Sequence, residues 1–324
     1  MVHGSLTVDY NQSAKLSSDT VASMRVGGVA LVGLCLTLLA PRASESQSLP
    51  RSLFTLIQDQ QFRACEEIGN KLGSVSRSEC LKSGLEHAWA WSVEGTPVLW
   101  REYPRLPQRA PLGRVLLIGG IHGDEYSSVS IVFKWISTLN KYHSGLFEWR
   151  IVPLLNPDGL LRRRSQRMNA RGVDLNRNFP SPNWHVESQD YWVRRTSSNP
   201  RRYPGPEALS EPESRWLADQ IEAFSPDVIV SVHAPHSIVD FDGPSQAPER
   251  LGSLQLKLLG TYPGSLGRYA GVHKEIPVVT IELPSAGSMP SSAEQRNIWI
   301  DLVRWLKEHV PARSTEVSSS RTGG

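Results

Sequence analysis

A histidine and a glutamate three residues apart, His122 and Glu125, follow a short apolar run that ends in Gly119-Gly120. On a turn, an imidazole nitrogen and a carboxylate at this spacing can face one cation. They are two of the three protein ligands of a His₂Glu zinc site. The same pair also serves, with no metal, as a turn histidine and a helix-start acid, so the decision rests on whether further ligands converge. His233 closes a second apolar run, DVIVSVH, and Glu282 lies in a third, VVTIEL. His122, Glu125 and His233 would hold Zn²⁺ with a fourth position left for water, acidified toward a pKa of about 7. Glu282 would take that water's proton as general base and pass it to a leaving amine. A buried acid held in an ion pair is the alternative, because a carboxylate in an apolar strand needs a partner. His236 competes for the third ligand position. His233, nearer the strand end, is preferred.

Arg167 and the pair Asn176-Arg177 lie in RMNARGVDLNRNFP. Guanidinium forks match a carboxylate or a developing oxyanion. A solvated basic loop is the other reading, and it is taken for Arg162, Arg163 and Arg164. Asp174 could orient a metal-bound histidine through its second ring nitrogen.

These residues need a frame. Val115 to Ile118 reads as a buried strand, Gly119-Gly120 as a tight turn, and Val129, Val132, Phe133, Ile136 and Leu139 as one face of a helix. His122 and Glu125 then sit at the carboxyl end of a strand, where open α/β sheets place ligands. Residues 87–93 and 97–103 suggest a hairpin around Glu94-Gly95, and residues 149–155 a strand entering the turn Asn156-Pro157-Asp158-Gly159. Residues 160–183 read mostly as loop. Ser210 with Glu213 reads as a capping box before a helix with Trp216, Leu217, Ile221 and Phe224 on its apolar face. Residues 298–310 suggest a closing amphipathic helix. Strands alternating with helices predict an α/β sandwich with a mixed sheet.

The chain has 324 residues, enough for one large or two ordinary domains, and 39% hydrophobic content supports a sizeable core. A net charge of +3 is too small to argue for nucleic acid or a membrane surface. Arg25, an apolar run at residues 26–40 and Pro41-Arg42-Ala43 have the form of a secretory signal starting at Met24; a single membrane anchor is the alternative. That implies export, periplasmic or secreted. Cys65 and Cys80 remain after such a segment, and an even count in an exported chain suggests a disulfide rather than two buried thiols. The expected organisation is an upstream extension plus signal at 1–43, a linker and small helical prelude at 44–85, a catalytic domain at 86–311 and a disordered tail at 312–324.

The runs HGDE, NPDG, GVDLNRNFP, SVHAP and VVTIELP, in this order, resemble the zinc carboxypeptidase family of the carboxypeptidase A type. The HGDE form, YPGP with SEPE, and SVHAP are similar to its bacterial murein peptide amidase branch. The resemblance implies a three-layer α/β/α sandwich around a mixed, roughly eight-stranded sheet. It implies zinc on His122, Glu125 and His233, with Glu282 as catalytic acid/base. It further implies Arg167 polarising the carbonyl, Asn176 and Arg177 clamping a terminal carboxylate, and Asp174 supporting the first histidine. The family's substrate-capping tyrosine has two candidates, Tyr262 and Tyr269, of which Tyr269 is taken. Asp240 and Asp242 could meet a substrate amine such as the side-chain centre of diaminopimelate, though a polar Asp-Gly-Pro turn is preferred. The expected activity is hydrolysis of an amide next to a free carboxylate, on a cell-wall peptide at the γ-D-glutamyl–diaminopimelate bond. The partner is thus a peptide with a free carboxylate, not nucleic acid or a stable membrane partner; the oligomeric state is open. An N-acyl-amino-acid deacylase similar to succinylglutamate desuccinylase or aspartoacylase is the first rival, and a non-catalytic binding module the second.

Overall fold

The computed structural model describes residues 51–310, with side chains from residue 59 onward. The expected signal or anchor, the linker and the tail lie outside these residues. The elements run α1 (Arg51–Lys71), α2 (Arg77–Lys82), β1 (Glu86–Trp91), β2 (Pro97–Tyr103), β3 (Gly113–Ile118), α3 (Tyr126–Tyr142), β4 (Phe147–Val152) and α4 (Pro157–Leu161). They continue with α5 (Trp184–Thr196), α6 (Pro212–Phe224), β5 (Val228–His233), β6 (Ile238–Asp242), β7 (Arg250–Leu251), β8 (Leu254–Leu256), β9 (Val278–Glu282) and α7 (Ser292–His309).

The nine strands form one mixed sheet in the order β1-β2-β4-β3-β5-β9-β6-β8-β7. The fold is a three-layer α/β/α sandwich, with nine strands where about eight were expected. The central strands β4, β3, β5 and β9 are parallel to one another. β3, β5 and β9 read as near-continuous apolar runs because helices cover both faces, whereas β4 alternates, with Glu148 and Arg150 half-buried between Phe147, Trp149 and Ile151. Alternate side chains feed two cores. Val115, Leu117, Val230 and Ile281 join the layer of Phe133, Trp135, Leu302 and Leu306. Leu116, Ile118, Ile229 and Val278 join Trp216, Leu217, Ile221 and Phe179 on the other face. β3 leads through α3 to β4 on one side and has β5 on the other. The crevice at its carboxyl end is therefore a topological switch point, the usual place for a ligand in such sheets.

The prelude packs into the first core. Cys65, Ile68, Leu72, Val75 and Cys80 are buried there, and Cys65 is bonded to Cys80 with their Cα atoms 5.4 Å apart.

Three readings of the sequence need correction. The expected capping box is absent: the N-cap of α6 is Glu211, followed by Pro212 at the first helical turn. Glu213 instead turns inward and accepts from Asn169 Nδ2 at 3.2 Å and Val93 N at 3.3 Å. The strand placed at 149–155 starts two residues earlier and ends at Val152. Asp240 and Asp242 lie within strand β6 rather than in a turn.

Candidate active site

His122 leaves β3 on the glycine turn, Glu125 is the N-cap residue of α3, His233 is the last residue of β5 and Glu282 the last of β9. β5 and β9 pair in register, His233 against Glu282. Four separate chain segments thus deliver their side chains to one sheet edge. The turn is held by a close approach of two motifs. A Cβ at Gly123 would run into the backbone of Gly159 and Leu160, so HGDE can dock against NPDG only with glycine there. Asn156 locks the junction: its Oδ1 accepts from Gly159 N, and its Nδ2 donates to the carbonyls of Ile121 and Arg167.

The ring nitrogens decide the chemistry. His122 Nε2 lies 3.2 Å from Asp174 Oδ1, and His233 Nε2 lies 3.0 Å from Ser231 Oγ. If each Nε2 carries the proton, each Nδ1 presents a lone pair. The two Nδ1 atoms are 3.1 Å apart, and the Glu125 carboxylate approaches them at 2.8 and 3.1 Å. Three electron-pair donors facing one another in a buried place need a cation among them. Two imidazoles and a carboxylate match the donor preference of zinc. Burial pushes the Glu125 carboxyl up, but the flanking His122 and His233 outweigh it and hold the group below the usual carboxylate range. Burial lowers the His233 pKa, and the Glu125 carboxylate more than reverses this.

Around this corner lies a cleft of about 560 Å³, within the usual range for ligand sites. Glu282 is buried on its wall, and its Oε2 has no hydrogen-bond partner among the described residues. Arg167 also lines it; its Nε donates to Asp174 Oδ2 at 2.8 Å, and its Nη1 lies 3.6 Å from Glu125 Oε1. Burial disfavours the Arg167 charge, yet the Asp174 and Glu125 carboxylates hold its pKa above the ordinary value. Asp174 is wholly enclosed and kept well below the carboxylate range by Arg167 and His122 against the cost of burial. Asn176 Oδ1 accepts from Leu266 N, which leaves its amide NH₂ as the free end. Arg177 packs its guanidinium over the Tyr262 ring at 4.6 Å and keeps a buried Nε without a partner among the described residues. Burial lowers its pKa to about 10, with Asp174 opposing the shift. A desolvated, under-partnered guanidinium is a ready receptor for an anion.

Residues 91–247 match the zinc carboxypeptidase family. Murein peptide amidase A of Escherichia coli is 30% identical over 230 residues, which span 68% of this chain and 90% of the amidase. The chain belongs to the zinc carboxypeptidase family. It is accordingly an enzyme, a hydrolase acting on peptide bonds. A second relative, murein peptide amidase A of Vibrio campbellii, is 31% identical over 202 residues, covering 60% of this chain and 77% of that protein. The crystal structure of carboxypeptidase A from Helicoverpa armigera superposes with a TM-score of 0.52 at 18% identity, over 78% of this chain and 79% of its own, a likeness of fold.

The structure brings His122, Glu125, His233, Glu282, Arg167, Asn176 and Arg177 to one cleft, with Asp174 enclosed behind it. His236 also lines the cleft, but it is exposed and outside the three-donor cluster. Tyr269 must be corrected. It is buried in the second core, stacked on Phe179 at 5.7 Å, and donates its hydroxyl to Glu222 away from the cleft. Its neighbourhood of π-helical backbone, Gly267–His273, points the phenol into that core rather than toward substrate. Of the two candidates, Tyr262 lines the cleft, beside Arg177 and edge-on to Tyr191, which lines it too. Two contributors escaped the sequence reading. Ser231 orients His233, and its position two residues earlier on the same strand face was a usable signal. Arg202 lines the cleft from the turn before YPGP, where nothing in the sequence distinguishes it from its neighbour Arg201.

Proposed function

We propose that the protein is a zinc-dependent metallocarboxypeptidase that hydrolyses an amide next to a free terminal carboxylate on cell-wall (murein) peptides, with the γ-D-glutamyl–diaminopimelate bond as its target. The observation that carries the reaction is the convergence of three lone-pair donors beside a buried glutamate with an unpartnered oxygen, in a cleft that also presents unsatisfied arginine. The substrate class is supported by the names of the Escherichia coli and Vibrio campbellii relatives. Export is supported by the apolar run at residues 26–40 behind Arg25.

His122, Glu125 and His233 would hold the zinc, whose contribution is Lewis acidity that acidifies water and polarises a carbonyl. Glu282 removes a proton from the attacking water as its oxygen bonds to the carbonyl carbon. As the carbon–nitrogen bond breaks, Glu282 returns that proton to the departing amine. Arg167, pinned by Asp174, supplies a fixed positive charge for the oxygen that becomes anionic. Arg177 and the Asn176 amide bind the terminal carboxylate and set the register of the peptide.

The test is incubation of the zinc-loaded protein with L-Ala-γ-D-Glu-meso-diaminopimelate, with the products read by mass spectrometry. Release of free diaminopimelate is expected. An intact tripeptide with zinc bound would remove this substrate, and hydrolysis of N-acyl amino acids in its place would favour a deacylase. Glu282→Gln should keep its zinc and lose roughly 10²–10⁴-fold in kcat. Full activity in that variant would end the role assigned to Glu282.

A further inference from the structure

Asn169 lies on the turn between Arg167 and Asp174 and is fully enclosed. Its backbone N–H donates to Val173 O at 3.0 Å, and its Oδ1 accepts from Arg171 N at 3.0 Å and Val173 N at 3.1 Å. The turn is therefore closed on this one side chain. The amide nitrogen reaches the other way, to the start of α6, where Nδ2 donates to Glu211 Oε2 at 2.7 Å and to Glu213 Oε2 at 3.2 Å. Both polar atoms of the Asn169 side chain are thus engaged, the nitrogen with both of its protons. Asn169, Glu211 and Glu213 are not among the residues that line the cleft, so they can act on the reaction only through the turn.

The two acids are enclosed as well, and they meet on one neutral amide. Glu211 has the Arg171 guanidinium at 3.7 Å and the Ser210 hydroxyl, which donates to it at 2.8 Å. Glu213 has no ion pair among the described residues, and Val93 N is its second donor. Asp158 of α4, which accepts from Ser92 Oγ and Glu94 N, is a third negative group acting on Glu213. Like charges in so dry a place do not all ionise together near neutrality. The proton goes to Glu213, the acid without a cation, and burial lifts its carboxyl to about 7. Protonated, Glu213 still accepts from Asn169 through its carbonyl oxygen. Ionised, it is repelled by Asp158 and Glu211 and drawn to water, and hydrating it parts the turn from α6.

We infer that Glu213 is a positioning residue for Arg167: through Asn169 it holds the 167–174 turn, and with it the Arg167–Asp174 pair, in place. The protonated acid does this, and the anion does not. Activity therefore has an alkaline limb, full at low pH and lost as pH rises through about 7. The inference rests on the catalytic reading of the cleft. To test it, kcat and KM of the zinc-loaded wild type and of Glu213→Gln are measured on the murein tripeptide from pH 5 to 9. Glutamine keeps the shape and an acceptor oxygen and does not ionise. Wild-type kcat should fall roughly 10–100-fold across the limb, the scale of a misplaced catalytic group. KM should change little, because Arg167 serves charge that develops in the transition state. In Glu213→Gln the fall should vanish. Glu213→Leu, which offers Asn169 no acceptor, should have a low kcat at every pH. A wild type without the limb, a limb unchanged in Glu213→Gln, or a loss carried by KM overturns the assignment. If Glu213→Leu does not fold, the glutamine profile decides alone. If the wild type leaves the tripeptide uncut, that substrate is removed, and crystal structures of the zinc-loaded protein at pH 6 and 9 decide the positioning role. The Arg167–Asp174 contact should then open at pH 9 in the wild type and persist in Glu213→Gln; a contact that persists in both overturns it.

Discussion

The corner at the ends of β3, β5 and β9 and the α1–α2 prelude are held together by opposite means. At the corner, Glu125, His122, Asp174 and Arg167 are buried, charged or polar, and each is fixed by the next. In the prelude, Cys65, Ile68, Leu72 and Val75 sink into an apolar layer, and a disulfide ties the two helices. Burying charge is costly unless it is paired, and losing one partner strands the other. Burying apolar surface is favourable in itself and tolerant of detail. One region is thus shaped for chemistry, and the other contributes stability to the sheet beside it.

Breaking the corner should have the largest effect. His233→Ala should cut zinc affinity by more than ~100-fold, since even partners behind the ligands typically matter by about 10–100-fold. His236→Ala should leave the metal content as it is. Zinc measured by mass spectrometry after dialysis decides, and a larger loss in the His236 variant would reassign the ligand. Breaking the prelude should act on stability alone. Replacing Cys65 and Cys80 by alanine opens a loop spanning 15 residues of sequence separation. The chain-entropy model puts the cost at about 3 kcal/mol. Urea midpoints should drop accordingly while kcat stays the same; a fall in kcat would mean that the prelude shapes the cleft.

The smallest expected effect sharpens the contrast through pH. Burial lifts the Glu213 carboxyl to about 7, with the Asn169 and Val93 contacts opposing the shift. An acid whose folded pKa lies above its unfolded value favours folding while protonated. From about pH 4.5 to 7 the folded state binds more protons than the unfolded one, so stability from this group falls as pH rises through that window. Glu213→Gln should flatten the fall, on the order of 1–3 kcal/mol between pH 5 and 8. Chemical denaturation of both proteins at the two pH values measures it. An equal pH slope in the variant would show that Glu213 does not titrate there.

Much of the corner was legible because its residues interrupt strong patterns. His122, His233 and Glu282 stand at the ends of apolar runs that can only be buried strands, and a strand end leaves few places for a side chain to go. β6 was missed although it alternates: Val239 and Phe241 are buried in the first core, and Asp240 and Asp242 take the positions between them, on the face that lines the cleft. Its period-2 signal spans only five residues and runs straight into Gly243-Pro244, so the stretch read as a turn. α5 was missed because only Trp184 and Ser188 of its thirteen residues are buried, too few to draw an apolar stripe. Glu213 looked like a helix cap by spacing from Ser210. Pro212, which suits the first helical turn, shifts the start of α6 and frees that acid to turn inward. Choosing between Tyr262 and Tyr269 required the path of a π-helical turn, which leaves no regular period in the chain.

Asp174 has a consequence that reaches beyond its own place. One of its oxygens meets both His122 Nε2 and the backbone N–H of Asn176, and the other takes Arg167 Nε. A single carboxylate therefore anchors one donor of the proposed zinc site, the guanidinium beside it and the start of the segment that carries the proposed anion clamp. Occupancy at one end and affinity at the other are then joined by a shared coupling free energy, and such linkage is reciprocal: whatever zinc does for the binding of a substrate carboxylate, the carboxylate does for the retention of zinc.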